Sequence, residues 1–155
     1  MELLQLLHDR GESIVDDAFH AMERSHLASY EQTGMERARQ RLRDLYVLTV
    51  RAVTDRKLGA IIAHAEAIAG ERFASGFDLG EVQTAFNVLE EAIWVRIIQE
   101  LPPAQFAEAL GLVSTVLGAG KDALARAYVS LASRTQAPTL DLQSLFSGGG
   151  TNVDA

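Results

Sequence analysis

Apolar side chains recur every three or four residues along most of this chain, which is the spacing of helices that bury one face. The first such segment covers residues 3–28, and Gly11 could divide it into a short helix and a longer one. A second segment covers residues 35–55 and follows a polar connector at residues 31–34. The pattern therefore predicts two long helices in the first third of the chain.

The third and fourth segments are separated by clear helix-end signals. The third covers residues 57–75 and stops at residues 76–77, where a glycine is followed by phenylalanine. The fourth opens at Asp78, which can cap the helix, and Glu81 follows at the spacing of a capping box. Its apolar stripe continues to the two prolines at residues 102–103, which cannot extend a helix.

The last segment is the longest. Residues 104–133 keep close to a seven-residue apolar repeat over about 45 Å of helix, and such a helix often serves as a dimer seam. Three glycines lie inside it, Gly111, Gly118 and Gly120, and each costs about 1 kcal/mol relative to alanine. They indicate a close approach of another helix or a hinge, or else a local kink or a loop that splits the helix.

Together these segments predict an all-α fold: a single-domain antiparallel helix bundle of about five helices over residues 1–133, with a long C-terminal helix. A chain of 155 residues is long enough for one core and short for two domains. Residues 134–155 contain three consecutive glycines and predict a flexible tail. Its apolar residues could dock on a partner or fold back on the bundle: Leu140, Leu142, Leu145 and Phe146.

Composition narrows the classes of function. The chain carries 14 Lys and Arg against 21 Asp and Glu, a formal charge of -7, which argues against nucleic acid or an anionic membrane as its main partner. It has no cysteine, which removes thiolate metal sites and thiol nucleophiles and suits a reducing compartment. Its apolar runs are too short to span a membrane, and its N-terminus lacks the basic start of a signal peptide. We expect an unprocessed cytoplasmic protein.

Three patterns that can carry chemistry are incomplete. Glu23 and His26 have the spacing of two metal ligands on one helical face, but a di-iron bundle needs that pair twice. His64 could accept a phosphate, but the lysine and glycine that usually follow such a histidine are missing. Four arginines at alternate positions spread around their helix and form no basic stripe: Arg37, Arg39, Arg41 and Arg43. We expect no catalytic residue, metal or cofactor.

One charged side chain stands where the helical period predicts a leucine. Arg72 lies on the apolar stripe of the third helix, and a buried charge needs a partner. It could bind an anionic ligand or hold a switchable ion pair, or it could extend to the rim of the bundle. In a purely structural ion pair its partner would be one of four residues: Asp16, Asp17, Glu90 or Glu91. Trp94 and Asn87 are further candidates, either for the core or for a ligand.

Several stretches carry a resemblance to a known family. They are an N-terminal helical arm, the region of Tyr30, and residues 37–48, 71–79 and 82–86. Over about residues 1–133 the pattern resembles the RsbRD N-terminal domain, whose members precede output domains in bacterial stress-signalling and sensor kinase proteins. The resemblance implies an all-helical, often dimeric, sensory or regulatory module without catalytic residues. We expect no output domain after Ser133, and we therefore expect this module to bind a separate protein.

We therefore predict a non-enzymatic bacterial signalling or stress-regulation module that acts through protein–protein interaction, as a homodimer with a further protein partner. The alternative belongs to a different class of protein. It is a small-molecule or cofactor-binding sensor, in which Arg72, Asn87 and Trp94 line an internal pocket between helices.

Overall fold

The computed structural model describes residues 1–25 and 32–136, without the side chains of residues 32, 33, 135 and 136. These ranges form five α-helices and a short 3₁₀ helix at Pro103–Gln105, and they contain no strand. The α-helices are α1 Leu3–Ser25, α2 Gln32–Asp55, α3 Gly59–Ala74, α4 Leu79–Glu100 and α5 Phe106–Gln136. The predicted all-α fold with a long C-terminal helix is confirmed.

Side-chain contacts show the direction of each helix. Ser114 and Lys121 of α5 donate hydrogen bonds to Glu90 and Asn87 of α4, at 3.0 Å in both cases, so residue numbers rise on one helix as they fall on the other. Ion pairs show the same reversal between α1 and α4 and between α1 and α2: Arg10–Glu100 with Asp17–Arg96, and Glu12–Arg43 with Asp16–Arg39. The helix α1 is therefore antiparallel to α2 and to α4, α4 is antiparallel to α5, and α4 packs against both α1 and α5.

The turn between α3 and α4 forms as its sequence predicts. Gly76 has a φ of 83°, a left-handed conformation that glycine adopts without a side-chain clash, and it reverses the chain just after Ala74. The Asp78 carboxylate then accepts a hydrogen bond at 2.8 Å from the backbone N–H of Glu81. This bond satisfies one of the free donors at the start of α4, which confirms the predicted cap.

The apolar stripe of α5 faces the chain's own core. Val113, Leu117 and Leu124 are fully buried among residues of the other helices. These three residues of the seven-residue repeat therefore pack within the chain, and the expectation of a dimer seam on α5 stays a prediction. A seven-residue repeat cannot by itself distinguish packing within one chain from packing against a second chain, because both need a continuous apolar stripe.

Glycines inside the helices mark two close contacts. An added Cβ on Gly11 would lie 3.0 Å from the ring of Tyr46, so this glycine admits the tyrosine and does not divide α1. An added Cβ on Gly120 would lie 2.7 Å from Phe86 of α4. The same Cβ on Gly111 or Gly118 would meet nothing within 4 Å. Only Gly120 of the three glycines in α5 therefore supports a close helix approach, and α5 is continuous through all of them.

Two boundaries differ from the sequence prediction. The helix α2 begins at Gln32, so most of the predicted connector is helical. The helix α5 reaches Gln136, so residues 134–136 belong to the bundle and not to the tail. The end of the first predicted segment, at residues 26–28, and the tail from residue 137, with its apolar residues, lie outside the described residues.

Replacing Gly120 and Gly118 by alanine should change stability in opposite directions. Gly120→Ala should lower the free energy of unfolding by about 1–2 kcal/mol, because displacing the packed ring of Phe86 outweighs the gain in helix propensity. Gly118→Ala, the matched control, should raise it by up to about 1 kcal/mol. Urea unfolding of both variants checks the prediction, and equal effects of the two substitutions would contradict it.

Candidate functional site

Arg72 lies in the last turn of α3 and stacks on the residue that follows the turn. Its guanidinium is centred 4.5 Å from the middle of the Phe77 ring, and the Phe77 backbone N–H donates to the Arg72 carbonyl at 3.1 Å. Arg72 is half-buried. The left-handed Gly76 directs the chain back so that this cation–π contact can form.

Three of the four carboxylates predicted to pair with Arg72 have other partners. Asp16 pairs with Arg39, Asp17 with Arg96 at 3.1 Å, and Glu90 with Lys121 at 3.5 Å. Within residues 1–25 and 32–136, no carboxylate lies within 4.0 Å of the Arg72 guanidinium. The predicted ion pairs with these residues are therefore wrong, because the helical period gives the depth of a residue but not which helix faces it.

A narrow cleft runs beside Arg72 between α2, α3 and α4. Arg41 and Glu81 also line it, and its floor is apolar, with Leu45 and Phe86 among its residues. The cleft has a volume of about 40 Å³. Pockets for drug-sized ligands and cofactors span about 300–1,000 Å³, so this cleft can hold a few water molecules but no such ligand.

Asn87 and Trp94 lie elsewhere, on the exposed side of α4. Asn87 accepts the hydrogen bond from Lys121 and takes no part in the interior. Together with Glu90 and Glu91, Asn87 and Trp94 line an open hollow of about 240 Å³. The structure therefore does not bring Arg72, Asn87 and Trp94 together in one internal pocket, which corrects that expectation.

The exposed side of α4 carries three large apolar residues. Trp94, Val95 and Ile98 are 39%, 43% and 55% exposed, and we call these three residues the α4 outer face. They lie opposite the buried stripe of the same helix, which includes Leu89, Ile93 and Ile97. The sequence analysis singled out only Trp94. The helical phase of Val95 and Ile98 could have found the other two, because both fall out of step with the buried stripe.

The predicted basic cluster on α2 connects helices. Arg39 pairs with Asp16 of α1 and lies 4.4 Å above the ring of Phe19, while Arg41 pairs with Glu71 of α3 at 3.1 Å. Arg43 pairs with a carboxylate of α1 at 3.4 Å. These arginines point to different neighbours, so they form no continuous basic surface.

The remaining polar candidates were metal and phosphate sites. No group of three or more His, Asp or Glu in the described parts of the chain is arranged to hold a metal ion. Glu23 lies 3.5 Å from His20, and His26 lies outside the described residues.

None of the described helices combines the length and the apolar character that crossing a bilayer requires.

The environment of His64 shifts the pKa of its imidazole. Burial lowers the pKa of its imidazole, and the negative charges of Asp44 on α2 and Glu71 on α3 oppose that shift. Its Nε2 atom is buried and has no hydrogen-bond partner among the described residues. Burial therefore favours the neutral form of the imidazole, because the charged form loses hydration.

No family model, no curated protein and no solved structure matches the chain. The resemblance to the RsbRD N-terminal domain therefore stays a prediction from the residues.

The Arg72–Phe77 contact should be measurable as a coupling energy. Arg72→Met keeps an apolar stem and Phe77→Leu keeps an apolar side chain, so each removes the cation–π contact with little loss of packing. The double-mutant cycle should give a coupling of about 0.5–1 kcal/mol in urea unfolding. Additive effects of the two substitutions would show that the stacking does not stabilise the turn.

His64 should make stability depend on pH. The pKa of the folded protein is lowered, so the unfolded chain binds the proton more readily at pH values below about 6.5, the ordinary pKa of histidine. The free energy of unfolding should therefore fall as the pH drops from about 7 toward 5, and His64→Gln should reduce this slope. Parallel curves for the wild type and the variant in urea unfolding would contradict this assignment.

Proposed function

We propose that the chain is a non-enzymatic bacterial signalling or stress-regulation module that acts by binding another protein through the α4 outer face. The observation that carries this proposal is the exposure of Trp94, Val95 and Ile98 on one side of a helix whose other side is in the core. Contiguous apolar surface of this kind is typical of interaction sites. The signalling context rests on the resemblance to the RsbRD N-terminal domain.

The composition of this surface suits a protein partner. Tryptophan is enriched among the residues that dominate binding energy, because its large ring loses much contact with water and carries one hydrogen-bond donor. The hollow beside Trp94 is bordered by Asn87, Glu90 and Glu91, which gives the apolar centre a polar and acidic edge. A fitting partner presents apolar side chains flanked by lysine or arginine, since this chain carries a formal charge of -7.

The alternative of a small-molecule sensor has less support. The cleft at Arg72 is several times smaller than a ligand pocket, and Asn87 and Trp94 lie outside it. A bound cofactor would require the helices to separate around Phe86, which is almost fully buried. The exposed apolar surface needs no such rearrangement to bind.

A matched pair of charge substitutions tests the proposal. Ile98 and Val47 are 55% and 54% exposed, on α4 and α2 respectively. Ile98→Asp should weaken partner binding at least tenfold, or about 1.4 kcal/mol, because an aspartate would be buried in the apolar centre of the interface. Val47→Asp introduces the same charge outside the α4 outer face and should leave binding unchanged.

The measurement has two stages. Proteins that bind the wild-type chain in cells of its own organism are quantified by mass spectrometry beside both variants, and the recovered partner is then titrated into each purified chain by calorimetry. A partner that binds Ile98→Asp as tightly as the wild type would contradict the assignment of the α4 outer face. Circular dichroism of both variants controls for folding.

A further inference from the structure

The hollow beside Trp94 is built from one side of α4. Its four lining residues stand at positions 87, 90, 91 and 94, and this spacing places them on adjacent turns of the same side of the helix. Ile98 continues that side one turn beyond Trp94. Along about 16 Å of helix the surface therefore changes from polar and acidic, through the indole ring, to apolar.

The two carboxylates of the hollow differ in how far they are neutralised. Glu90 accepts a hydrogen bond from Ser114 at 3.0 Å and lies 3.5 Å from the ammonium group of Lys121, which also donates to Asn87. Glu91 is exposed and makes no ion pair with any residue that the structure describes. One of the two negative charges is therefore not neutralised within the described parts of the chain.

The size and the chemistry of the hollow select the group that fits it. Its volume of about 240 Å³ equals the share of about eight water molecules in the liquid, which is close to the size of one long side chain. The face of an indole ring attracts a cation. Among cationic side chains, an arginine is flat, stacks on aromatic rings and donates hydrogen bonds in a fork that matches a carboxylate, whereas a lysine ammonium is more strongly hydrated.

We propose that the hollow receives an arginine side chain of the partner protein, with its guanidinium stacked on Trp94 and hydrogen-bonded to Glu91. This inference rests on the proposed function, since it names the group that anchors the partner beside the α4 outer face. Trp94 belongs to both surfaces, so the arginine would lie next to the apolar contacts at Val95 and Ile98. Those contacts would exclude water from the charge pair, and a charge pair shielded from water is stronger than an exposed one.

Two peptides that differ in one group test the inference. The probe is a tryptophan-free, alanine-based helical peptide with arginine at its centre and leucine four positions before and after it, on the same face. Its twin carries citrulline, which has the shape of arginine without the charge. The whole chain should bind the arginine peptide about tenfold more tightly, because only arginine forms a charge-assisted hydrogen bond with the carboxylate. The fluorescence of Trp94, the single tryptophan, reports both affinities.

Matched variants locate the bound cation. Glu91→Gln should remove most of the preference for arginine and leave the affinity for the citrulline peptide unchanged. Glu66→Gln makes the same substitution at an exposed position of α3 and should change neither affinity. Trp94→Leu, measured by calorimetry, should weaken the arginine peptide several-fold more than the citrulline peptide, since leucine keeps an apolar contact but has no ring face. Circular dichroism of the three variants controls for folding.

The results separate this inference from the proposed function. Equal affinities for the two peptides, no binding of either peptide, or a preference for arginine that persists in Glu91→Gln would each overturn the inference. If the peptides bind equally and Ile98→Asp weakens both, the α4 outer face is a binding surface and only the arginine site is wrong. If arginine is preferred as expected but the cellular partner binds Ile98→Asp as tightly as the wild type, the proposed function is wrong and the hollow remains an arginine site.

Discussion

The contact between Phe86 and Gly120 sets the spacing on which the bundle depends. The phenylalanine ring comes within 2.7 Å of the place where a Cβ on Gly120 would be, so α4 and α5 can lie this close only because that residue is glycine. Ile61 of α3 approaches the same point, so three helices meet there. Since α4 also packs on α1, the position of its inner side determines how the rest of the core closes.

Because the core is closely packed, the candidate binding surface lies on the outside of the molecule. The cleft beside Arg72 is small, and three arginines of α2, Arg39, Arg41 and Arg43, form ion pairs with neighbouring helices. By contrast, Trp94, Val95 and Ile98 of the α4 outer face are exposed. The exposed part of an apolar side chain gains nothing from folding and can gain from association, which is why this surface carries the proposed function.

The sequence predicts those parts of the structure that depend on local signals. The helices follow from apolar periodicity, and the turn at Gly76 and the cap at Asp78 follow from residues within one turn of the chain. The partners of Arg72 and the roles of the three glycines of α5 could not be predicted in this way. They depend on which helices face each other. A periodic stripe such as that of Val113, Leu117 and Leu124 has the same sequence pattern whether it packs in the core of its own chain or against a second chain.

The central claim is that the chain works by contact through the α4 outer face, and Trp94 gives direct access to it. Trp94 is the single tryptophan of the chain, so all tryptophan fluorescence reports on this surface. The decisive measurement is acrylamide quenching of that fluorescence in the free chain and in its complex with a partner that lacks tryptophan. The account predicts ready quenching in the free protein and strong protection, with a blue-shifted emission, in the complex. Equal quenching in both states, at saturating partner, would contradict it.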